Sequence, residues 1–482
     1  MSLKKNFLYS SVLTLSNYVF PLIVYPYVSR TLGLSNIGIV YFVDNLVNYF
    51  VLISQMGITT VGIREIASAR NDKTKLSITF NSLLALTTIS TIVAIIVLWI
   101  AMYTIPTLTP YQDLLYVGLI KLFFNLFLIE WFFMGMENFK YITNRSLIIR
   151  CLYVLCVFIL VKDIQDYKIY YVLSVAVVVA NATINTLYSR KFIHYSLKAI
   201  NIRPFYRPFL IMGAYALLTN VYLYLNSVWL GFAADTNEVG FFTTATKLHT
   251  IIMSILLAFT NILFPHMSNL LSEGRNKEFW EKINISFDAI FLFAFPSCIY
   301  MLIAGPELLH LVVGNGFEGS YLPLRIISPL ILVIGIEQIL VIQILMATHC
   351  DSIVLRNTFI GAVVSIIFNI PLAHTLGAVG SAIVWVIAES TIMCLSIISI
   401  YKKHKYSFPY ERLVTYITSY IPLLVVLLFV YDYLENNYAI ITVLVLAIIT
   451  VVYALTNEIF IIKNNIAQQL VQSIHSYIKN FI

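Results

Sequence analysis

The chain has 482 residues, of which 60% are hydrophobic and only 11% charged, with a mean hydropathy of +0.87 and a net charge of +7. That charge density is less than half the roughly 25% of a soluble domain, so the composition excludes a water-soluble enzyme or binding module and implies a protein embedded in lipid. The positive balance requires no nucleic-acid partner, because most of it falls in one set of loops.

A basic start, Lys4 and Lys5, leads into an apolar run that continues past Pro21 to about Val28 without the small-residue cleavage site of a signal peptide, so it is expected to remain as a span. A bilayer core takes about 20 apolar residues per helix. By that measure spans are predicted near 9–28, 37–57, 77–103, 111–133, 142–162, 167–188, 208–231, 238–262, 284–305, 324–346, 353–374, 378–400, 413–432 and 438–462, fourteen in all. With the N-terminus in the cytoplasm, 23 of the 30 basic residues gather on that side, from Arg64, Arg70 and Lys73 to Lys198, Lys402, Lys463 and Lys479. The opposite loops are short and acidic, with Asp235, Glu238, Glu318 and Glu435. An excess of Lys and Arg marks the cytoplasmic face, so both termini are expected inside.

Ser35-Asn36-Ile37-Gly38 with Tyr41-Phe42, entering the second span, echoes Thr236-Asn237 with Gly240-Phe241-Phe242, entering the eighth; Gly38 and Gly240 are 202 residues apart. Both copies enter the membrane in the same direction, as a parallel repeat about an axis along the membrane normal requires. The expected fold is an all-α polytopic membrane protein of two six-helix lobes, 1–200 and 201–405, with two further helices over 406–482.

Ionisable groups inside a span cost roughly 2.5–3.5 kcal/mol each on insertion scales, so they face a bundle interior or a wet cavity. Lys121 is midway along the fourth span, Arg150 is well inside the fifth and Lys247 is central in the eighth. Three such cations suit a diphosphate, to which Arg offers a bidentate fork and Lys a point charge. Equally, each can neutralise a buried acid such as Asp44, Glu337 or Glu389. Tyr41, Asp44, Asn48 and Gln55 follow helical spacing and share one face of the second span. Asp44 there is either a coupling site for a proton or sodium ion or a structural carboxylate held by Asn17 or a basic residue. Glu337 in the tenth span and Glu389 in the twelfth carry the same two readings.

Glu130 lies on the opposite helix face from Lys121 and is not its partner. With Glu137, Lys140 and Arg145 it is expected to form a solvated cytoplasmic turn whose ion pairs contribute little, or part of a cytoplasmic gate. Arg30, at the outer end of the first span, either snorkels to headgroups or serves an outer gate. The five cysteines lie in apolar runs, and His249, His266, His310, His349 and His374 are scattered, so no metal site is expected. No P-loop is present, which excludes ATP hydrolysis of that kind within this chain.

Three segments carry a family resemblance. Glu130 to Lys140, EWFFMGMENFK, resembles the Trp-Phe, Gly-x-Glu-x-Phe junction of the Wzx-type polysaccharide flippases of the multidrug/oligosaccharidyl-lipid/polysaccharide exporter superfamily. Pro26 to Gly33, PYVSRTLG, is similar to the end of that family's first span, and Gly57 to Leu76 to its first cytoplasmic loop. The resemblance implies a flippase, not an enzyme, moving an undecaprenyl-diphosphate-linked oligosaccharide to the periplasmic leaflet by alternating access, without a cofactor; without a P-loop it would draw on an ion gradient, of protons or sodium, or on the substrate's own gradient. It also implies a bacterial inner-membrane location and, as partners, membrane lipids and the polysaccharide polymerase and chain-length proteins. The alternatives are a peptidoglycan-precursor flippase or multidrug antiporter of the same fold, and a membrane glycosyltransferase or polymerase. The last would usually carry a large external loop, and no external loop here exceeds about 20 residues.

Overall fold

A computed structural model of the protein describes residues 3–196, 200–434 and 439–462. Lys198, Glu435, Lys463 and Lys479 lie outside the described residues. Within them the chain is a succession of helices, as lipid demands: with no water to satisfy backbone N–H and C=O groups, each segment must satisfy its own.

Two units meet between Gly240 and Phe241. In the first, α1 (Leu3–Gln55) holds the first two expected spans, joined at Gly33, whose φ of 73° breaks the helix. Next come α2 (Ile58–Ala69), α3 (Lys73–Thr104), α4 (Gln112–Asn125), α5 (Glu130–Gly135), α6 (Phe139–Leu160), α7 (Tyr167–Ser189) and α8 (Tyr206–Ala233). Asp72 starts α3 by accepting hydrogen bonds from the backbone N–H groups of Thr74 and Lys75 at 2.8 and 3.1 Å. Helix α8 packs along α1 and α2 within this unit. The α3 face bearing Ile89, Ile92, Val93, Ile96 and Trp99 is exposed, a surface suited to acyl chains.

Helix α9 (Thr236–Ser272) crosses the boundary. The second unit continues with α10 (Asn276–Val313), α11 (Tyr321–Ile327), α12 (Leu330–Gln338), a π-helical stretch over Ile339–Met346, α13 (Asp351–His404), α14 (Tyr410–Leu434) and α15 (Ala439–Thr456). Helix α13 holds the eleventh and twelfth expected spans across a kink at Gly377, φ 56°. The tenth span is bent by 40° between α11 and α12. Among the described residues each of the fourteen expected spans lies mainly on helix, with the fourth interrupted over 126–129 and the tenth at 328–329.

Candidate functional site

In the first unit the polar stripe of α1 faces α4 and α7. Lys121 Nζ lies 2.6 Å from Asp44 Oδ1 and 2.8 Å from Asn48 Oδ1, while Asn48 Nδ2 donates to Asp44 Oδ2 at 3.1 Å. The lysine and aspartate side chains are only 15% and 24% exposed, so their attraction is weakly screened. Beside them, the side chains of Tyr41, Tyr153 and Tyr170 gather. Further along the stripe Gln55 Nε2 donates to the Asn125 carbonyl at 3.1 Å. Asp44 therefore takes Lys121 as its cation, the pairing foreseen as one of two readings, and Asn17 is engaged elsewhere.

Arg150, inside α6, donates to Ser16 Oγ and Asn17 Oδ1 on α1. Both hydrogen-bond acceptors are neutral, and the carboxylate that acts on the guanidinium, Glu130, is bonded to Arg145.

The fourth span does not run through. Between α4 and α5 the buried Ile129 adopts φ 34°, ψ 33°, a left-handed conformation that costs a β-branched residue about 1–3 kcal/mol. The break starts α5 at Glu130, whose Oε1 meets Arg145 Nη2 at 2.6 Å. Arg145 also donates to Asn185 Oδ1 and, at 2.9 Å, to Ser146 Oγ, and it lies 5.8 Å from the Tyr141 ring centroid. This corrects the solvated turn expected from the sequence: the Arg145 side chain is 4% exposed. The residues that follow Glu130, namely Trp131, Phe132 and Phe133, are buried in a core with Phe80. Glu137 and Lys140 are exposed as foreseen, and Glu137 pairs with Arg70 of the preceding loop at 2.6 Å. Arg30 is exposed beside the Gly33 kink.

In the second unit the carboxyl groups of Glu337 on α12 and Glu389 on α13 come together. Trp385 Nε1 donates to Glu389 Oε1 at 2.9 Å, and the Trp385 ring lies edge-on to His249, centroids 5.3 Å apart. His249 is 1% exposed and neither ring nitrogen has a hydrogen-bond partner; Glu337 Oε2 and the Gln343 amide are unpartnered too. Four residues from three helices thus form one buried polar cluster. His249 was passed over in the sequence as one of several scattered histidines, although a histidine two residues from Lys247 within an apolar run was the available signal. Lys247 is half-buried on α9.

Glu458 was missed as well. It is fully buried and accepts from Tyr416 and Tyr420 hydroxyls at 3.2 and 3.0 Å, tying the π-helical end of α15 to α14. Among the described residues no group of three or more His, Cys, Asp or Glu side chains is placed to hold a metal ion.

Residues 3–271 match the model of the family described as "Polysaccharide biosynthesis protein". A protein of Escherichia coli (strain K12) named for O-antigen transport is 24% identical over 410 residues, spanning 82% of this chain and 96% of that protein. A Shigella dysenteriae protein of the same name is 28% identical over 407 residues, covering 81% of this chain and 98% of its own. Over 163 residues, 34% of either chain, it is 24% identical to a low-salt glycan biosynthesis flippase, Agl15, of Haloferax volcanii. The solved structure of the lipid II flippase MurJ, in an inward closed conformation, superposes with a TM-score of 0.75 over 95% of this chain and all of that one, at 12% identity. That likeness establishes the fold alone. With such a fold and such relatives the protein is a multi-pass membrane transporter rather than an enzyme, and it belongs to the polysaccharide biosynthesis protein family matched over its first 271 residues.

Proposed function

We propose that this protein is a flippase that moves an undecaprenyl-diphosphate-linked oligosaccharide repeat unit from the cytoplasmic to the periplasmic leaflet of a bacterial inner membrane, serving O-antigen, capsule or exopolysaccharide assembly. The observation that carries the substrate class is Arg150. A guanidinium inside a membrane helix, answered by two neutral oxygens, is a standing positive charge with a bidentate fork, and a diphosphate is its natural complement. Lys247 is the second cation of this reading. Lys121, neutralised by Asp44, serves instead as the switchable partner of a carboxylate.

Transport runs by alternating access, with both termini in the cytoplasm. The Glu337–Glu389 pair, beside the uncommitted His249, is the coupling site for a proton or sodium gradient. Arg145, Glu130 and Glu137 form the cytoplasmic gate and Arg30 belongs to the outer one. The product is handed to the polysaccharide polymerase and chain-length proteins.

The test is the leaflet location of the lipid-linked glycan in spheroplasts, read with an impermeant sugar-specific probe. External labelling that requires the protein, and that falls at least tenfold with Arg150→Gln, is the expected result. Equal labelling with and without the protein would remove the function.

A further inference from the structure

The two repeats treat their cytoplasmic ends differently. In the first unit the space between the end of the second span, the α5 hairpin and the start of α3 is filled. Helix α2 lies so close that a Cβ on Gly62 would meet Trp131 at 2.5 Å and one on Gly135 would meet Ile66 at 2.8 Å. Phe80 stacks on Trp131 with centroids 5.5 Å apart. In the second unit, the 202-residue offset that relates Gly38 to Gly240 places Ser268 where the first has Ile66. Between the tenth and eleventh expected spans, the place in span order that the α5 hairpin holds between the fourth and fifth, the turn is Ala347-Thr348-His349, and a cavity of about 540 Å³ remains open there.

Its polar lining includes Ser272, Asn276, Thr348, His349 and His404, with Trp280 as its aromatic member and no Lys, Arg, Asp or Glu among the described residues. Trp280 is held flat against Tyr406, centroids 4.6 Å apart and planes 14° apart, and the Tyr406 hydroxyl donates to Asn284 Oδ1 at 2.7 Å, so the aromatic wall is fixed. Thr348 Oγ1 lies 3.3 Å from His404 Nε2. The volume is that of a small-ligand site, roughly 300–1,000 Å³.

Chemistry narrows the ligand. An apolar guest would set the Asn276 amide and the two imidazoles against hydrocarbon, whereas Ser272 and Thr348 already donate to the Asn269 and Ile344 carbonyls and keep acceptor capacity to offer. A phosphate would call for Arg or Lys in the lining. Neutral donors and acceptors on one side and an aromatic edge on the other suit a ring that carries many hydroxyls and exposes C–H bonds. We infer that this cleft, at the end of the second unit formed by the α9–α10 turn, Ala347–His349 and the end of α13, is a carbohydrate subsite that takes one or two sugar rings. Resting on the flippase reading, it is where the glycan head of the substrate docks on the cytoplasmic side before transport.

The experiment uses the full-length protein in nanodiscs and ligand-observed saturation-transfer NMR. The probes are methyl hexosides, methyl N-acetylhexosaminides and methyl 6-deoxyhexosides, with inorganic phosphate as comparator. At least one glycoside should show saturable transfer that weakens at least tenfold in Thr348→Trp, which fills the cleft. Ser272→Trp, on the exposed rim, should do the same and guards against a folding defect in the first variant. No saturable glycoside, equal transfer in both variants, or displacement of the glycoside by phosphate would overturn the inference. The spheroplast assay separates the two readings: flipping without glycoside binding removes the cleft and keeps the function, whereas binding without flipping does the reverse.

Discussion

Gly38 and Gly240, the same position in two copies of one short motif, meet each other. A Cβ on Gly38 would lie 1.7 Å from the Thr236 carbonyl oxygen and 3.2 Å from the Gly240 nitrogen, and one on Gly240 would lie 2.9 Å from the Leu34 carbonyl. Backbones that approach this closely exclude every side chain, the use membranes make of glycine at helix crossings.

Gly38→Ala should therefore be costly for a single methyl group. Overpacking usually costs about 1–3 kcal/mol, and here backbone must move. Export should fall at least tenfold, with a lowered melting temperature in detergent. Gly274→Ala is the contrast for steric fit, since nothing lies within 4 Å of a Cβ there. Its φ of 73° still charges a small left-handed penalty, so a modest loss of stability with unchanged export is expected.

The Lys121–Asp44 pair should behave as a coupled unit. Breaking a largely buried pair from one side leaves a charge unanswered and costs several kcal/mol, about 3–5 when burial is complete and less at the partial exposure seen here. Asp44→Asn and Lys121→Gln should each lower thermal stability, and the double variant should lose less than the sum of the two. Strict additivity in the double-mutant cycle would show that the ion pair contributes no coupling.

Arg145 should not tolerate lysine. Its two terminal nitrogens serve Asn185, Glu130 and Ser146 in a fork that an ammonium cannot reproduce. Arg145→Lys should reduce export more than tenfold, whereas Lys140→Gln, on the exposed turn, should remain near wild type; the impermeant-probe assay reads both.

Glu337→Gln removes one carboxyl group of the Glu337–Glu389 pair and keeps the side chain's size. Initial transport rates measured between pH 6 and 8, with and without sodium, should lose most of their dependence on the coupling ion. A variant with the full pH and sodium dependence of the wild type would take Glu337 out of the coupling site.

The spans were legible because lipid imposes length and apolarity on each helix independently of its neighbours, and Lys121 with Asp44 was legible as an alternative because both sit deep in apolar runs. What the sequence hid was pairing between distant helices. Arg145 reads as a loop charge until Asn185 on α7 and the Ile129 break beside Glu130 draw it into the core. Glu337 and Glu389 each look like solitary acids, and only the packing of α12 on α13 makes them a pair with Trp385 and His249 behind it. Glu458 is concealed by the same cause, since its two tyrosines come from another helix.

At Gly33 and again at Gly377 the chain turns from one expected span into the next on a single non-helical residue. A corner of that kind has no slack: a tilt of one leg is handed to the other as in a bell crank. It also offers no loop for a protease to grip, and an epitope tag inserted at either corner would have to unwind helix on both sides to be seen.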